Sequence, residues 1–333
     1  MQIKSNRKVS LTVFVSSFLI QNAYANVSIA SWWGYIDKAT IEKLEKKCHT
    51  KITLDEYYTN DEFINNYQKK DYAVAIFSGS VYKYIIEDVE KKGISFEKIT
   101  KNYDKAVLHE YENRNYSKKA ALFSFTLSGF LYDKNKLKIN ENDSVQKIFQ
   151  TAKNKKVIFL DESMESLKTL STIKNISSAT EGALTFHALV KGSHTVITND
   201  IEKYVNDADF GLAYAWVGEA YKLINKNNSL EFKPVPAISN VSLDFIGTLN
   251  KNEDTACVAE ALASKETLDS LLARDYYFSP FGTMEPQTDI LFKKESVRFY
   301  ENLGISKWMP HPSKGEYQEK SALWKDIKLE LKN

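Results

Sequence analysis

The amino-acid sequence predicts an α/β protein with two lobes, and three observations support this. Short apolar or alternating segments typical of strands, at 51–58, 72–77, 157–160 and 209–216, alternate with amphipathic segments, as in parallel sheets covered by helices. The chain has only six prolines and no low-complexity linker, so a single flexible tether between domains is not indicated. Two extended apolar runs, 120–132 and 241–250, are long enough to leave one sheet and enter another. We expect them to cross between the lobes as hinge strands.

The beginning of the chain has the three regions of a secretory signal peptide. Lys4, Arg7 and Lys8 precede an uncharged run at 11–20, and a short segment then ends at Ala25. The apolar run is about ten residues long, whereas a helix that spans a bilayer needs about 20. We therefore expect cleavage after Ala25 and an exported, periplasmic protein.

The charge distribution does not indicate a nucleic-acid partner. The formal net charge of +2 includes the three cations before residue 26, so the remainder carries about −1. Lysine and glutamate are spread over amphipathic segments and not gathered into one basic patch. These charges are interpreted as solvated helix faces.

Two helices near the start have clear boundary signals. Asp37 is a plausible N-cap, and apolar residues follow it at helical spacing. A second helix begins after Ser80 and stops at Gly93, a natural residue just beyond a helix end. Cys48 and Cys257 are the only cysteines. An oxidising compartment permits a disulfide between them, but two buried, inert thiols are the simpler interpretation, because the sequence does not reveal the distance between the cysteines.

Aromatic residues follow the first expected strand, 27–30. Trp32, Trp33 and Tyr35 lie in a loop between that strand and the next helix, where side chains of α/β proteins face a binding cleft. Filling of the core is the simpler interpretation of one tryptophan, but three aromatics beside Gly34 favour a cleft.

Acidic residues occur at two further places. Glu162 and Glu165 follow the strand at 157–160, and their spacing puts both on one helix face, where they either cap the helix or face a cation. Trp216 ends another strand, within Trp216-Val217-Gly218-Glu219. Asp244 lies inside the apolar run 241–250, where a carboxylate needs a cationic partner from the protein or from a ligand.

These features, in this order and over nearly the whole length after residue 25, resemble the periplasmic polyamine-binding proteins of the spermidine and putrescine type. Six features carry the resemblance: the loop Trp32-Trp33-Gly34-Tyr35, the turn Ser78-Gly79-Ser80, the acidic turn 161–165, Trp216, Asp244 and Gly315-Glu316-Tyr317-Gln318. The resemblance implies the type II fold of bacterial extracellular solute-binding proteins of ABC transporters. It implies an N-terminal lobe of 26–122 plus 246–287 and a C-terminal lobe of 123–245 plus 288–333.

The resemblance also implies a ligand site. An aromatic box of Trp32, Tyr35, Trp216 and Phe281 would enclose the methylene chain of a polyamine. Glu165 and Asp244 would accept its ammonium groups, supported by Glu162 and Gln318. The whole predicted site is Trp32, Trp33, Tyr35, Ser78, Glu162, Glu165, Trp216, Asp244, Phe281 and Gln318.

The chain departs from that family at four positions. Gly34 replaces an acidic residue, Ser80 and Ser242 replace aromatics, and Phe281 lacks a tyrosine hydroxyl. Trp33 or Tyr82 could refill the space. The site is less aromatic and less acidic, so the sequence leaves putrescine, spermidine, norspermidine and other small ligands open.

The expected function is capture of a polyamine and its delivery to ABC permease subunits in the inner membrane. A sensor subunit that reports the ligand to a membrane signalling protein is an alternative with the same fold. A binding protein for ferric iron is another, although the neighbouring Tyr276 and Tyr277 would point apart in a helix. A secreted hydrolase would need a nucleophile elbow or a similar motif, and the sequence contains none. We expect a monomer without enzymatic activity, cofactor or metal.

Overall fold

The computed structural model describes residues 26–285 and 289–332. The predicted signal peptide, residues 1–25, lies outside the described residues. The strands are β1 (Asn26–Trp32), β2 (Lys51–Tyr57), β3 (Val74–Ser78), β4 (Ala120–Asp133), β5 (Lys156–Phe159), β6 (His194–Ile197), β7 (Phe210–Trp216), β8 (Leu230–Lys233) and β9 (Val241–Thr248).

The helices are α1 (Lys38–Cys48), α2 (Asn60–Tyr67), α3 (Tyr82–Lys92), α4 (Glu97–Thr100), α5 (Lys105–Asn113), α6 (Val145–Thr151), α7 (Ser163–Ser171), α8 (Ala179–Leu189), α9 (Glu202–Val205), α10 (Val217–Lys226), α11 (Glu253–Leu262), α12 (Lys265–Asp275), α13 (Ile290–Glu301) and α14 (Lys314–Glu330). Two short 3₁₀ turns lie at Gly79–Val81 and Leu303–Ile305. None of the described helices is long and apolar enough to cross a membrane.

The strands follow the order β2-β1-β3-β9-β4-β7-β5-β6, with β8 paired to β4. β1 is parallel to β2 and β3, and β5 is parallel to β6 and β7. β4 and β9 run antiparallel to each other between these two parallel groups. β4 pairs with β9 through residues 120–127 and with β7 through residues 128–132. The structure confirms the predicted α/β fold with two parallel units joined by long strands, and the exact lobe boundaries remain a prediction.

The predicted N-cap of α1 and the predicted end of α3 are confirmed, although the conformation at the end of α3 differs from the expected one. Asp37 caps α1, since its carboxylate accepts a hydrogen bond from the backbone N–H of Thr40 at 2.7 Å. Gly93 ends α3 with a φ of −82°, so it does not adopt the left-handed conformation expected of a glycine beyond a helix end. A Cβ there would lie 2.6 Å from the carbonyl oxygen of Val89 and 2.7 Å from that of Thr248. The glycine is needed for this close backbone approach.

The buried apolar side chains form two clusters. The larger surrounds β1, β3 and β9 and includes the stacked rings of Phe77 and Phe245, with centroids 5.8 Å apart. The smaller lies on β5 and the end of β4, where the rings of Phe130 and Phe149 meet edge to face at 5.5 Å. The buried apolar residues thus form two packed cores, one on each side of the long strands.

A disulfide joins Cys48 at the end of α1 to Cys257 in α11, with the Cα atoms 5.7 Å apart. The sequence had left this bridge open against two free thiols. Folding brings together cysteines that are 209 residues apart in sequence. The bridge therefore fixes α11 to α1.

Candidate functional site

A cavity of about 340 Å³ lies between the two parallel units. Its volume falls in the range that holds a small ligand. The described residues that line it are Trp32, Trp33, Gly34, Tyr35, Tyr57, Tyr58, Asn60, Ser78, Thr126, Glu165, Asn199, Asp200, Ile201, Glu202, Trp216, Glu219, Lys222, Leu223, Ser242, Asp244 and Tyr277.

The topology explains why these residues meet. The loops that follow β1, β2 and β3 supply one wall, and the loops that follow β5, β6 and β7 supply the other. Parallel strands present their carboxyl ends at one edge, which is where α/β proteins bind ligands. β4 and β9 add Thr126, Ser242 and Asp244 to the cavity wall.

Asp244 is buried, with 5% of its surface exposed, and is held by three neutral donors. The indole N–H of Trp32 donates to Oδ1 at 3.2 Å, and the hydroxyls of Tyr35 and Ser124 donate to Oδ2 at 2.9 and 3.0 Å. No lysine or arginine in the described ranges forms an ion pair with it. Burial raises the pKa of Asp244 to about 6, against the effect of these donors. The carboxylate is oriented by the protein but its charge is not neutralised.

Glu165 occupies the third position of α7 and is also buried, with 5% of its surface exposed. Trp216 and Glu165 both line the cavity, and Oε2 of Glu165 is buried with no partner among the described residues. Burial raises the pKa of Glu165 to about 7, with opposing influence from nearby Lys168. That lysine bonds instead to the amide oxygen of Asn240.

Glu219 brings a third carboxylate to the cavity. It occupies the third position of α10 and accepts a hydrogen bond from the hydroxyl of Tyr277 on Oε1, while Oε2 is buried without a described partner. Burial raises the pKa of Glu219 above its usual value. Burial and the adjacent Glu219 also raise the pKa of Tyr277, so the hydroxyl stays protonated and donates a hydrogen bond to Glu219.

Aromatic rings form much of the remaining wall. Trp32 lies against Tyr57, with centroids 4.6 Å apart, and meets Trp216 edge to face at 6.4 Å. Tyr35 stacks on Phe123 at 5.3 Å. Trp33 stacks on Tyr58 at 5.5 Å and remains 60% exposed. These faces suit a cation with an alkyl chain, because the π face of an aromatic ring attracts positive charge.

Two other predicted residues lie in or beside the cavity. Ser78 lines it and caps the turn Gly79–Val81 by accepting from the backbone N–H of Ser80 at 3.1 Å. Glu162 is the residue before α7 and is not one of the lining residues, but Asn60, which lines the cavity, donates to its Oε2 at 3.1 Å. Burial and the neighbouring Glu165 raise the pKa of Glu162 well above its usual value.

Phe281 and Gln318 are not brought to the cavity. The ring of Phe281 packs edge to face on Tyr103 at 5.3 Å. Gln318 lies on the exposed side of α14, because neighbouring helical residues point about 100° apart and Tyr317 takes the buried side. Tyr82 packs on Phe245 at 4.8 Å, so it does not refill the space either. The roles that the resemblance implied for Phe281 and Gln318 therefore have no support in this geometry.

The sequence analysis missed Glu219, Tyr277 and the segment Asn199–Glu202. A signal for Glu219 was present, since Glu165 and Glu219 both take the third helical position after a parallel strand. Tyr277 was considered only as an iron ligand paired with Tyr276. Tyr276 instead bonds to the side chain of Asn225. Within the described part of the chain no group of three or more His, Cys, Asp or Glu side chains is arranged to hold a metal ion.

Comparison with known proteins finds solved structures that are similar to this chain over most of its length. No protein-family model matches the chain, and no curated protein matches it. The spermidine/putrescine ABC transporter substrate-binding protein PotD from Streptococcus pneumoniae is similar with a TM-score of 0.65 and 16% identity, over 91% of this chain and 99% of that one. The TpPotD lipoprotein of Treponema pallidum is similar with a TM-score of 0.69 and 13% identity, over 91% of this chain and 99% of that one. Iron-bound HitA from Pseudomonas aeruginosa is similar with a TM-score of 0.61 and 11% identity, over 91% of this chain and 99% of that one.

At these identities the likeness shows the fold alone. The chain has the two-lobed fold of substrate-binding proteins, which confirms the fold that the sequence resemblance implied. The printed ligands of these similar structures differ, so they do not identify the ligand of this cavity.

Proposed function

We propose that this protein is an exported solute-binding protein that captures a small ligand with two or more ammonium groups, of the polyamine type, and performs no chemistry on it. One observation carries the proposal. Three carboxylates, Glu165, Glu219 and Asp244, line one aromatic cavity, and none is ion-paired within residues 26–285 and 289–332. A buried negative charge is costly without a cation, so the ligand is the natural partner.

The aromatic wall adds the second requirement of such a ligand. An ammonium group over a ring face gains about 0.5 to 2 kcal/mol, and the methylene chain gains from contact with the same rings. Charge-assisted hydrogen bonds to oriented carboxylates fix the position of each nitrogen. A neutral ligand of the same length gains only the contacts with the rings.

The fold and the predicted signal peptide support the cellular role that we propose. We expect a protein that is exported to the periplasm, acts as a monomer and hands its ligand to ABC permease subunits of the inner membrane. The disulfide between Cys48 and Cys257 agrees with an oxidising compartment.

Thermal unfolding of the purified protein tests the ligand class. The panel is putrescine, cadaverine, spermidine and norspermidine, with ferric ion, thiamin and amino acids as comparison ligands. A ligand that binds only the folded state adds about 2.7 kcal/mol at a hundredfold excess over Kd. We expect at least one polyamine to raise the unfolding temperature by several degrees. A shift with ferric ion and with none of the amines would reject the proposal.

A further inference from the structure

A groove of about 1210 Å³ lies outside the ligand cavity, between the edge strand β6 and the ends of α8 and α14. This volume exceeds the range of about 300 to 1,000 Å³ that is typical of sites for small molecules. The groove and the ligand cavity share none of their described lining residues. The groove is therefore a separate surface, and its size suits a segment of a larger partner.

The backbone of β6 has one side that no described strand pairs with. β6 is the last strand of the sheet and pairs with β5. The backbone N–H groups of His194 and Thr198 donate to carbonyl oxygens near the two ends of β5, each at 2.9 Å. Because the direction of these groups alternates along a strand, the N–H and C=O groups of Thr195 and Ile197 point away from β5. Another chain can add a strand to an edge of this kind.

Apolar side chains from three elements line the groove. Val196 and Ile197 come from β6, Phe186 from α8 and Leu329 from α14. Leu329 is 51% exposed, so part of this apolar surface is in contact with water. Thr195 also lines the groove, and its hydroxyl is buried without a partner in the described structure. An exposed leucine and an unpartnered hydroxyl thus occur in one groove.

Four lysines give the groove a positive charge. Lys191 follows α8, and Lys325, Lys328 and Lys332 lie at the end of α14. The acidic residue among the described lining residues is Asp161, which pairs with Lys328 at 2.7 Å. The ion pairs formed within residues 26–285 and 289–332 include none of the other three lysines. Four lysines against one aspartate leave a formal charge of +3, so the groove favours an acidic partner.

The spacing of the lysines on α14 fits an extended chain. Lys325, Lys328 and Lys332 follow one another at three and four residues, which places them on one side of a helix over about 10 Å. Three residues of a strand cover about the same length. Because side chains of a strand alternate between its two faces, acidic residues at every second position can all face the lysines.

We propose that this groove is a docking surface for an extended acidic segment of a partner protein, which adds to β6 as a further strand. The backbone of the segment pairs with the outer edge of β6, and its carboxylates contact the lysines. Apolar residues between the carboxylates cover Leu329 and its neighbours. An anionic lipid headgroup would satisfy the lysines but not the edge of β6. The inference goes beyond the proposed function, because it does not depend on the ligand in the cavity.

Titration calorimetry of the purified protein with a synthetic peptide tests the docking surface. The probe is a peptide of about ten residues, with blocked ends, in which glutamate and valine alternate. We expect it to bind one site per protein. The same peptide with a fully N-methylated backbone keeps its charge but has no N–H donors, so it should bind at least about tenfold more weakly. A peptide of alternating lysine and valine should not bind.

Amide hydrogen exchange followed by NMR locates the added strand. The glutamate–valine peptide should slow exchange at Thr195 and Ile197, whose N–H groups point away from β5. Exchange at His194 and Val196 should change little, because these N–H groups point towards β5. Protection of all four amides to the same extent, or of none, would contradict strand addition.

Two variants separate the charge of the groove from its backbone edge. Lys325→Glu with Lys332→Glu reverses two exposed charges and should weaken peptide binding by at least about tenfold. The matched control, Lys98→Glu with Lys101→Glu at α4, reverses two exposed charges outside the groove and should leave peptide binding unchanged. Thr195→Pro removes an outward N–H of the edge strand, a place where proline is tolerated, and should also weaken binding.

The outcomes distinguish this surface from the alternatives. Equal binding of the N-methylated peptide would reject strand addition, and equal binding in the Lys325→Glu, Lys332→Glu variant would reject the role of the lysines. Vesicles of phosphatidylglycerol and phosphatidylethanolamine are the comparison probe. If the protein binds these vesicles through the same lysines but does not bind the peptide, the surface contacts a membrane and the proposal is wrong. If the protein binds the peptide but no amine, the proposed function fails and the docking surface stands.

Discussion

At the scale of the residue, Asp244 is the buried carboxylate in the cavity wall on which the proposed cation site depends. Trp32, Tyr35 and Ser124 hold the carboxylate in one orientation with neutral donors. The sequence allowed a protein cation as its partner, and the described structure contains none at ion-pairing distance. The same arrangement that orients the charge leaves it available to a ligand.

Asp244→Asn is expected to weaken binding of a polyamine by about ten- to a hundredfold, because a charge-assisted hydrogen bond is worth about 1.5 to 3 kcal/mol. The unfolding temperature of the unliganded protein should be kept, since a buried unpaired charge is removed. Calorimetry measures the affinity. Asp326→Asn on the exposed side of α14 is the matched control. Unchanged affinity in Asp244→Asn would remove this residue from the site.

Affinity for an amine should increase with pH between about 5 and 8. Burial raises the pKa of Asp244 to about 6 and that of Glu165 to about 7, so in the unliganded protein both carboxyls lose their charge as the pH falls through this window. The ammonium groups of the ligand stay charged throughout. Binding should therefore release protons near pH 6.5, which calorimetry in buffers of different ionisation enthalpy detects. A pH-independent affinity would contradict this.

The same shifts have a consequence for folding. The unfolded chain ionises these carboxyls near pH 4, whereas the folded chain retains the protons to higher pH. Through these two groups, the free energy of unfolding of the unliganded protein decreases from about pH 4 to 7 and is then constant.

At this scale the sequence identified residues that break a local pattern. Asp244 interrupts an apolar strand, Trp216 is the last residue of β7, and Glu165 lies in the first turn of the helix that follows β5. Glu219 gives the same signal as Glu165 but was not selected. Phe281 and Gln318 were carried over from the resemblance. Tertiary contacts decide which side of α14 is buried and place Phe281 against Tyr103. The order of residues along the chain does not reveal these contacts.

At the scale of the element, hydrogen bonds join α14 to α2 and join the loop after β6 to the residue that follows β2. The hydroxyl of Tyr317 donates to Oδ1 of Asp61 at 2.9 Å, and the hydroxyl of Ser321 contacts the same carboxylate at 2.7 Å. The side chain of Asn199 donates to the carbonyl oxygen of Tyr58 at 3.4 Å. The predicted boundaries put the partners of each pair in different lobes.

Tyr317→Phe should weaken ligand binding by a few-fold, because one hydrogen bond that stabilises the closed arrangement contributes about 1 kcal/mol. The cavity lining itself is unchanged, so the loss should be similar for every amine. Dissociation rates measured by stopped flow should increase by the same factor. Tyr84→Phe, outside the cleft on α3, is the control. A loss confined to one amine would mean that Tyr317 acts on the ligand directly.

The elements themselves were largely predictable. Strands β2 and β7 lie within one residue of the expected segments, because β2 begins with alternating polar and apolar residues and β7 is an almost continuous apolar run. β6 and β8 were not predicted, since each has only four residues with mixed polarity. Such short edge segments gain their structure from pairing with neighbours.

At the scale of the whole molecule, two packed cores flank the long strands β4 and β9. The alternation of strands and helices was sufficient to predict this fold class. The disulfide was not predictable, because Cys48 and Cys257 are 209 residues apart in sequence and only the tertiary fold brings them together.

Removal of the disulfide, as Cys48→Ser with Cys257→Ser, should lower the free energy of unfolding by about 2 to 4 kcal/mol, because the unfolded chain gains freedom. Urea denaturation of the oxidised protein and the double variant measures the difference. Ligand affinity should be kept, since the bridge lies outside the cavity. Equal stability of the two proteins would contradict the prediction.

The most direct test of the central claim compares putrescine with 1,4-butanediol, a neutral ligand of the same length, by titration calorimetry at pH 8. If the buried carboxylates carry binding, one molecule of putrescine binds per protein and the diol shows no heat of binding. Spermidine and norspermidine extend the same comparison to three charges. Equal binding of the diol, or no binding of any amine, would contradict the assignment of this cavity to a cationic ligand.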